Sequence, residues 1–302
     1  MPMRDPDELI RAFFNRSRLA LSRLLTYVED GHPETFSIMG RILPEKKGAH
    51  IIGITGPQGS GKSTLIDRLV KIYRREGVEV AVVTVDPSSP KTGGAVLADR
   101  IRISTDDEGV FVRSMASRSH VGGLSKNIRK AIDLLDAFGF KKILVETIGT
   151  GQDEVEIRHV AETVVLVFTP EMGDEVQTMK AGLMEVADIY AINKMDELSP
   201  RRLKEAIEFL IRQAPSSERK VVEVSAKDNL NIEELFNAIE SHRRHEREID
   251  IESVEAYLKD LLLDCFKRIM GRDYSFFLRE LVKEGLNPYE RIGDILLNRR
   301  TR

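Results

Sequence analysis

Gly56-Pro57-Gln58-Gly59-Ser60-Gly61-Lys62-Ser63 follows the apolar run Ile51-Ile52-Gly53-Ile54 and precedes the helix-prone stretch Thr64-Leu65-Ile66-Asp67-Arg68-Leu69-Val70. These eight residues fit G-x-x-x-x-G-K-[ST], and a strand before with a helix after is the context in which that pattern forms a phosphate-binding loop. The glycines let the backbone wrap a polyphosphate with its N–H groups pointing inward, and the following helix offers its positive end. Lys62 supplies a full charge and Ser63 a hydroxyl suited to Mg²⁺. A simple glycine-rich turn is the competing reading, and the flanking elements argue against it. The phosphate-binding set is therefore expected to run from Gly56 to Thr64.

Outward from this loop, residues 49 to about 240 alternate short apolar strands with longer helical segments, which predicts an α/β fold with a mostly parallel sheet covered by helices. The strands read as 51–55, 80–85, 110–113, 142–146, 163–169, 187–192 and 220–224. Ligands bind such sheets at the carboxyl ends of the strands, so the loops there are where further chemistry is sought.

Three of those loops carry polar motifs. Asp86 closes one strand and opens Asp86-Pro87-Ser88-Ser89-Pro90, where it is either a Mg²⁺ ligand or a turn aspartate; Asp99 leaves the same two readings open. Leu144-Val145-Glu146-Thr147-Ile148-Gly149 is an apolar strand ending in an acid, three residues before a glycine. In P-loop hydrolases an acid at this place holds Mg²⁺ through water, and the glycine N–H can sense the γ-phosphate. Many GTPases have Asp where this chain has Glu146, and Gln152 lies too far beyond Gly149 to be assigned as the water-orienting glutamine. Asn193-Lys194-Met195-Asp196 follows a further strand and fits N-K-x-D. An aspartate there can accept from both the guanine N1–H and the exocyclic amine, which adenine does not offer together. The Lys194 stem can cover the base, and Ser225-Ala226-Lys227 can present a backbone N–H to guanine O6.

Together these residues resemble the MeaB/ArgK family of P-loop GTPases, the GTPase chaperones of adenosylcobalamin-dependent methylmalonyl-CoA mutase. The similarity runs nearly end to end and includes Val85-Asp86-Pro87-Ser88-Ser89, Thr92-Gly93-Gly94, Gly122-Gly123-Leu124, Glu146 through Gln152, and Gly173-Asp174-Glu175-Val176-Gln177 with Lys180-Ala181-Gly182. The resemblance implies a Mg²⁺-dependent GTPase that binds GTP and GDP. It implies catalytic roles for Lys62, Glu146 and Gly149, and a metal set of Ser63, Asp86, Asp99 and Glu146. It further implies a cobalamin-dependent acyl-CoA mutase as partner, with residues 170–181 as a switch in which Asp174, Glu175 and Lys180 take part. This chain has Thr169-Pro170-Glu171-Met172-Gly173 where the family usually has Pro-Gly-x-Gly. Two other readings are a nickel-type metallochaperone GTPase, which would usually carry a cysteine or histidine metal motif, and a kinase or ATPase associated with amino-acid transport, which N-K-x-D argues against.

The flanks read differently. Residues 7–30 are expected to form one amphipathic helix, since Ile10, Phe13, Phe14, Leu21, Leu24, Leu25 and Val28 recur at three- and four-residue spacing. A second short helical stretch and the linker Pro44-Glu45-Lys46-Lys47-Gly48 close an extension over 1–48, ahead of a nucleotide domain over 49–240. Over 241–302 a charged stretch, in which His242 and His245 read as solvated, leads into apolar helical stripes. The resemblance makes this region a homodimerisation surface. The 302 residues are 41% hydrophobic and 31% charged with a formal net charge of −3, and basic residues are interleaved with acids, so nucleic acid is not expected as a partner. The one cysteine, Cys265, forms no internal disulfide. With no apolar run of membrane-span length and no signal-peptide core at the start, a cytoplasmic protein is expected.

Overall fold

The computed structural model describes residues 5–87, 107–117, 126–147, 157–172, 186–196, 201–213, 219–242, 251–270 and 274. In chain order its elements are α1 (Pro6–Phe14), α2 (Arg18–Asp30), α3 (Thr35–Ile42), β1 (His50–Thr55), α4 (Lys62–Arg75), β2 (Val80–Pro87), β3 (Val110–Ser117) and α5 (Lys126–Phe138). They continue as β4 (Lys142–Glu146), β5 (Thr163–Phe168), β6 (Ile189–Ile192), α6 (Arg201–Gln213), β7 (Lys220–Glu223), α7 (Ile232–His242) and α8 (Ile251–Met270). Two compact units result, one over 1–248 and one over 249–302.

The first unit is built on a seven-stranded sheet of order β3-β2-β4-β1-β5-β6-β7, parallel throughout. Every residue of β1, β5 and β6 is buried, as expected of central parallel strands covered on both faces. Alternate side chains serve opposite layers. Ile51, Ile143, Val145, Ala81 and Val83 join the core under α1, α2, α3 and α5, whereas Ile52, Ile54, Leu144, Val80 and Val82 join the core under α4 and α7. Leu166, Phe168, Tyr190 and Ile192 pack with Leu203 and Ile207 of α6. Because β1 lies between β4 and β5, the chain order reverses around it, and its carboxyl end is the topological switch point where open α/β sheets take their ligands.

The expected single helix over 7–30 is two. Arg16 adopts a left-handed φ of 64° between α1 and α2, and the Ser17 hydroxyl accepts from the Ala20 N–H as the N-cap of α2. The Arg16 guanidinium reaches the Phe138 carbonyl and the Glu79 carboxylate, which ties the break to the sheet unit. Leu21, Leu24, Leu25 and Val28 still form one buried stripe. The linker ahead of β1 is anchored as well: Lys46 Nζ lies 2.7 Å from Asp133, and Asp136 Oδ1 accepts from the N–H groups of Lys47 and Ala49 at 3.0 and 2.9 Å. Burial pushes the Asp133 carboxyl up despite the Lys46 ammonium beside it.

At the amino ends of the strands a buried polar network joins the sheet to α7. His50 Nε2 meets Thr163 Oγ1 at 2.9 Å, and Glu240 accepts from Lys142 Nζ at 2.6 Å and from the Tyr73 hydroxyl at 2.7 Å. His242 is not solvated, because its ring reaches Asp188 at 3.4 Å and Thr163 at 3.3 Å. Burial alone would raise the Glu240 carboxyl, but hydrogen bonds from His50, Lys142 and Tyr73 hold it down at about 2. A depressed carboxylate stabilises the fold above its ordinary value near 4.5, and that contribution is lost as pH falls from there through about 2. Glu240→Gln is therefore expected to be less stable than the parent at pH 6, with the gap closing as pH falls towards 2. Urea unfolding at several pH values checks this, and a gap that does not change with pH contradicts it.

In the second unit α8 exposes Leu258, Leu262 and Leu263, while Phe266 and Tyr274 meet edge to face with centroids 6.2 Å apart. Among the described residues no helix is long and apolar enough to cross a membrane.

Candidate active site

The loop between β1 and α4 is shaped by close approaches that only glycine permits. Gly56 has φ 137°, and a Cβ there would lie 2.3 Å from the Val167 carbonyl oxygen of β5. Gly61 is the N-cap of α4 with φ 88°, and a Cβ there would lie 2.2 Å from Asn193 Nδ2. Between them Pro57, Gln58, Gly59 and Ser60 form the turn, with the Ser60 N–H donating to the Pro57 carbonyl at 3.3 Å. Lys62 is buried, and its ammonium donates to the Gly56 and Pro57 carbonyls at 2.6 and 2.9 Å. No side chain caps α4, so among the described residues the N–H groups of Ser63 and Thr64 have no acceptor.

These features fit a polyphosphate. A loop with no room for a Cβ at Gly56 or Gly61, first-turn donors without an acceptor among the described residues and a buried ammonium at the same helix end together suit an anion. Among the described residues the buried Ser60 hydroxyl oxygen has no partner, which leaves a polar group that a ligand could satisfy.

Beside the loop, the end of β4 is locked to the end of β1. The Thr147 N–H donates to the Ile54 carbonyl at 3.1 Å and its hydroxyl to Thr55 Oγ1 at 2.8 Å. This register brings Glu146 to Ser63, whose hydroxyl donates to Glu146 Oε1 at 2.7 Å. Residues 83 apart in sequence thus present two hard oxygen donors at one point, which suits Mg²⁺. Asp86 belongs to the carboxyl end of β2, two positions past Thr84, which pairs with Glu146. Asp99 and Gly149 lie outside the described residues, as do Gln152, Asp174, Glu175 and Lys180.

The base-reading residues lie at the ends of β6 and β7. Asn193 is buried and braces three loops: its N–H donates to the Phe168 carbonyl, Nδ2 donates to the Ser60 carbonyl at 2.8 Å, and Oδ1 accepts from the Ala226 N–H at 2.9 Å. Lys194 takes a left-handed φ of 66°, turning the chain so that Asp196 stands beside the Ser225-Ala226-Lys227 loop, with Lys227 Nζ 3.9 Å from Asp196 Oδ2. Hydrogen bonding from Ser225, assisted by the Lys227 and Lys194 charges, holds the Asp196 carboxyl below the usual range. Asp196 is consequently an acceptor on both oxygens at neutral pH. Two features carry no local sequence signal: the brace formed by Asn193 and the contact from Arg68 of α4 to the Ala226 and Lys227 carbonyls.

Comparison with known proteins agrees with this geometry. The profile of the family described as methylmalonyl Co-A mutase-associated GTPase MeaB matches residues 21–257. The chain belongs to the MeaB family. Among its relatives, a Pyrococcus abyssi protein named by inference as a GTPase is 46% identical over 96% of this chain and 95% of that one. GTPase ArgK of Escherichia coli is 34% identical over 77% of this chain and 74% of that one. A mouse protein named methylmalonic aciduria type A homolog, mitochondrial, is 29% identical over 77% and 62%. In architecture the crystal structure of a LAO/AO transport system kinase superposes with a TM-score of 0.67 at 23% identity over 99% of each chain. The hydrogenase maturation factor HypB from Archaeoglobus fulgidus gives 0.51 at 18% identity over 74% of this chain and 98% of that one. At those identities the two structures speak to the fold alone, and that fold is the P-loop α/β sheet. As a MeaB-family protein the chain is a P-loop GTPase, in line with the sequence expectation.

Proposed function

We propose that this MeaB-family GTPase couples Mg²⁺-dependent hydrolysis of GTP to the loading of adenosylcobalamin into, and the protection of, a methylmalonyl-CoA mutase or related acyl-CoA mutase. The observation that carries the nucleotide half is the Asn193 brace, which makes the phosphate loop and the base-reading loops one structure. The mutase half is supported by the family description and by the name of the mouse relative.

In this reading the backbone from Gly56 to Thr64 holds the phosphates and Lys62 spans their outer oxygens. Ser63 and Glu146, with Asp86 and Asp99, would hold Mg²⁺, and the ion when bound neutralises charge on the β- and γ-oxygens. Asp196 accepts from the guanine edge, Lys194 covers the base, and the Ser225-Ala226-Lys227 loop donates to O6. Gly149 reports the γ-phosphate to the segment 170–181, through which the nucleotide state reaches the mutase. The exposed leucines of α8 are assigned to a homodimer interface, and the single cysteine suits the reducing cytoplasm.

If the nucleotide state is transmitted, linkage requires the GTP and GDP forms to bind the mutase with different affinities. A pull-down of candidate cobalamin-dependent mutases by the full chain, loaded in turn with GDP and with a non-hydrolysable GTP analogue, is expected to show a difference of about fivefold or more. Equal capture in both states contradicts the switch, and capture in neither state leaves the mutase reading without support.

A further inference from the structure

The guanidinium of Arg68 is spent on two neutral carbonyls. Its Nε donates to the Ala226 oxygen at 2.8 Å and its Nη2 to the Lys227 oxygen at 3.0 Å. Among the described residues no carboxylate pairs with it, although Asp67 precedes it on α4 and Asp107 lines the same groove. Arginine placed on successive peptide carbonyls fixes backbone orientation, because its planar fork sets two directions at once.

The consequence follows from the geometry of the peptide group. The carbonyl of Ala226 and the N–H of Lys227 belong to one planar trans unit and point in opposite directions. Holding that carbonyl against α4 therefore aims the Lys227 N–H away from α4. The neighbouring peptides are also accounted for, since the Ala226 N–H donates to Asn193 Oδ1 and the Asp228 N–H to Ser225 Oγ at 3.1 Å. Of these three consecutive donors, Lys227 is the one whose N–H has no acceptor among the described residues. A cation on the carbonyl also draws electron density through the peptide and makes its N–H a stronger donor.

We propose that Arg68 is a positioning residue for guanine specificity, which orients and polarises the Lys227 N–H as the donor to the purine O6. This rests on the reading of the Ser225-Ala226-Lys227 loop as the O6 reader and names the atom that performs it. It also links the helix that starts at the phosphate loop to the far end of the nucleotide, seven residues along α4 from Lys62 counting both ends.

The test compares affinities of the full chain with Mg²⁺ for GDP, for inosine diphosphate, which keeps O6 but lacks the 2-amino group, and for 2-aminopurine riboside diphosphate, which lacks O6. In Arg68→Ala the GDP affinity is expected to fall about tenfold and that for the 2-aminopurine nucleotide to stay unchanged, so their ratio narrows about tenfold. The ratio of GDP to inosine diphosphate, which reports Asp196, should not move. Arg68→Gln, which retains amide donors without the charge, is expected to give the same pattern more weakly and serves if the alanine variant does not fold. Equal losses for all three nucleotides would make Arg68 a general structural contact, and no change for any would remove its role; either result overturns the proposal. A parent protein that fails to prefer GDP over the 2-aminopurine nucleotide would instead overturn the O6 reading of the loop itself.

Discussion

Lys62→Ala is expected to lower GTP affinity by about two to three orders of magnitude while leaving the fold intact. The Lys62 ammonium is already desolvated, so the chain has met the cost of burying it before any phosphate arrives. It is held at the mouth of the helix by the Gly56 and Pro57 carbonyls, two bonds it can exchange for phosphate oxygens. Charge-assisted hydrogen bonds contribute about 1.5–3 kcal/mol each, and two lost together at the lower end of that, about 3–4 kcal/mol, give the stated range. Alanine leaves in place the close approaches of Gly56 to Val167 and of Gly61 to Asn193, which do not involve the lysine side chain. Calorimetric titration with GTP and Mg²⁺, with thermal melting beside it, checks the expectation. An affinity within threefold of the parent contradicts it.

Asp196→Asn should move base preference from guanine towards xanthine. The carboxylate, kept ionised by Ser225 and the neighbouring lysines, accepts on both oxygens. An amide instead presents a donor on one side, which matches the carbonyl that xanthine carries in place of the guanine amine. Discrimination by one bidentate pair suggests a loss for GTP on the order of a hundredfold, with a gain for xanthosine triphosphate of similar size. Paired affinity measurements for the two nucleotides are the check. Retained guanine preference in the variant would mean that another residue reads the base edge.

The sheet was legible because its central strands are buried on both faces and therefore read as unbroken apolar runs; β1, β4 and β5 sit within a residue of where they are expected. The edge strand β3 runs to Ser117, four residues past its expected end at 113. Its pairing to β2 continues through Arg113 and Ser114 by backbone hydrogen bonds that require no apolar side chain. The break between α1 and α2 was hidden by periodicity, since Leu9, Ile10 and Phe13 are in phase with Leu21 and Leu24 across the turn. The local cue was Ser17, a capping residue inside an apparently continuous helix. The phosphate loop, Glu146 and N-K-x-D were visible because each is a contiguous motif at a strand end. What joins them was not visible. Asn193 to Ser60, Arg68 to Ala226 and His242 to Thr163 are contacts across 133, 158 and 79 residues, set by strand order and carrying no mark in local composition.

On the proposed function, GTP turnover by this GTPase answers to a cobalamin-dependent mutase. No glutamine follows Gly149 directly, so the chain alone is expected to release phosphate from GTP at about 10⁻⁴ to 10⁻² per second, the range of unassisted GTPases. Phosphate release by the full chain with Mg²⁺, measured alone and with saturating mutase, decides whether the coupling exists. The predicted result is slow release alone and at least a tenfold rise on addition of the mutase, lost when Lys180 or Asp174 is replaced although GTP affinity is kept. Rapid release without a partner, or a rate that no mutase changes, would contradict it.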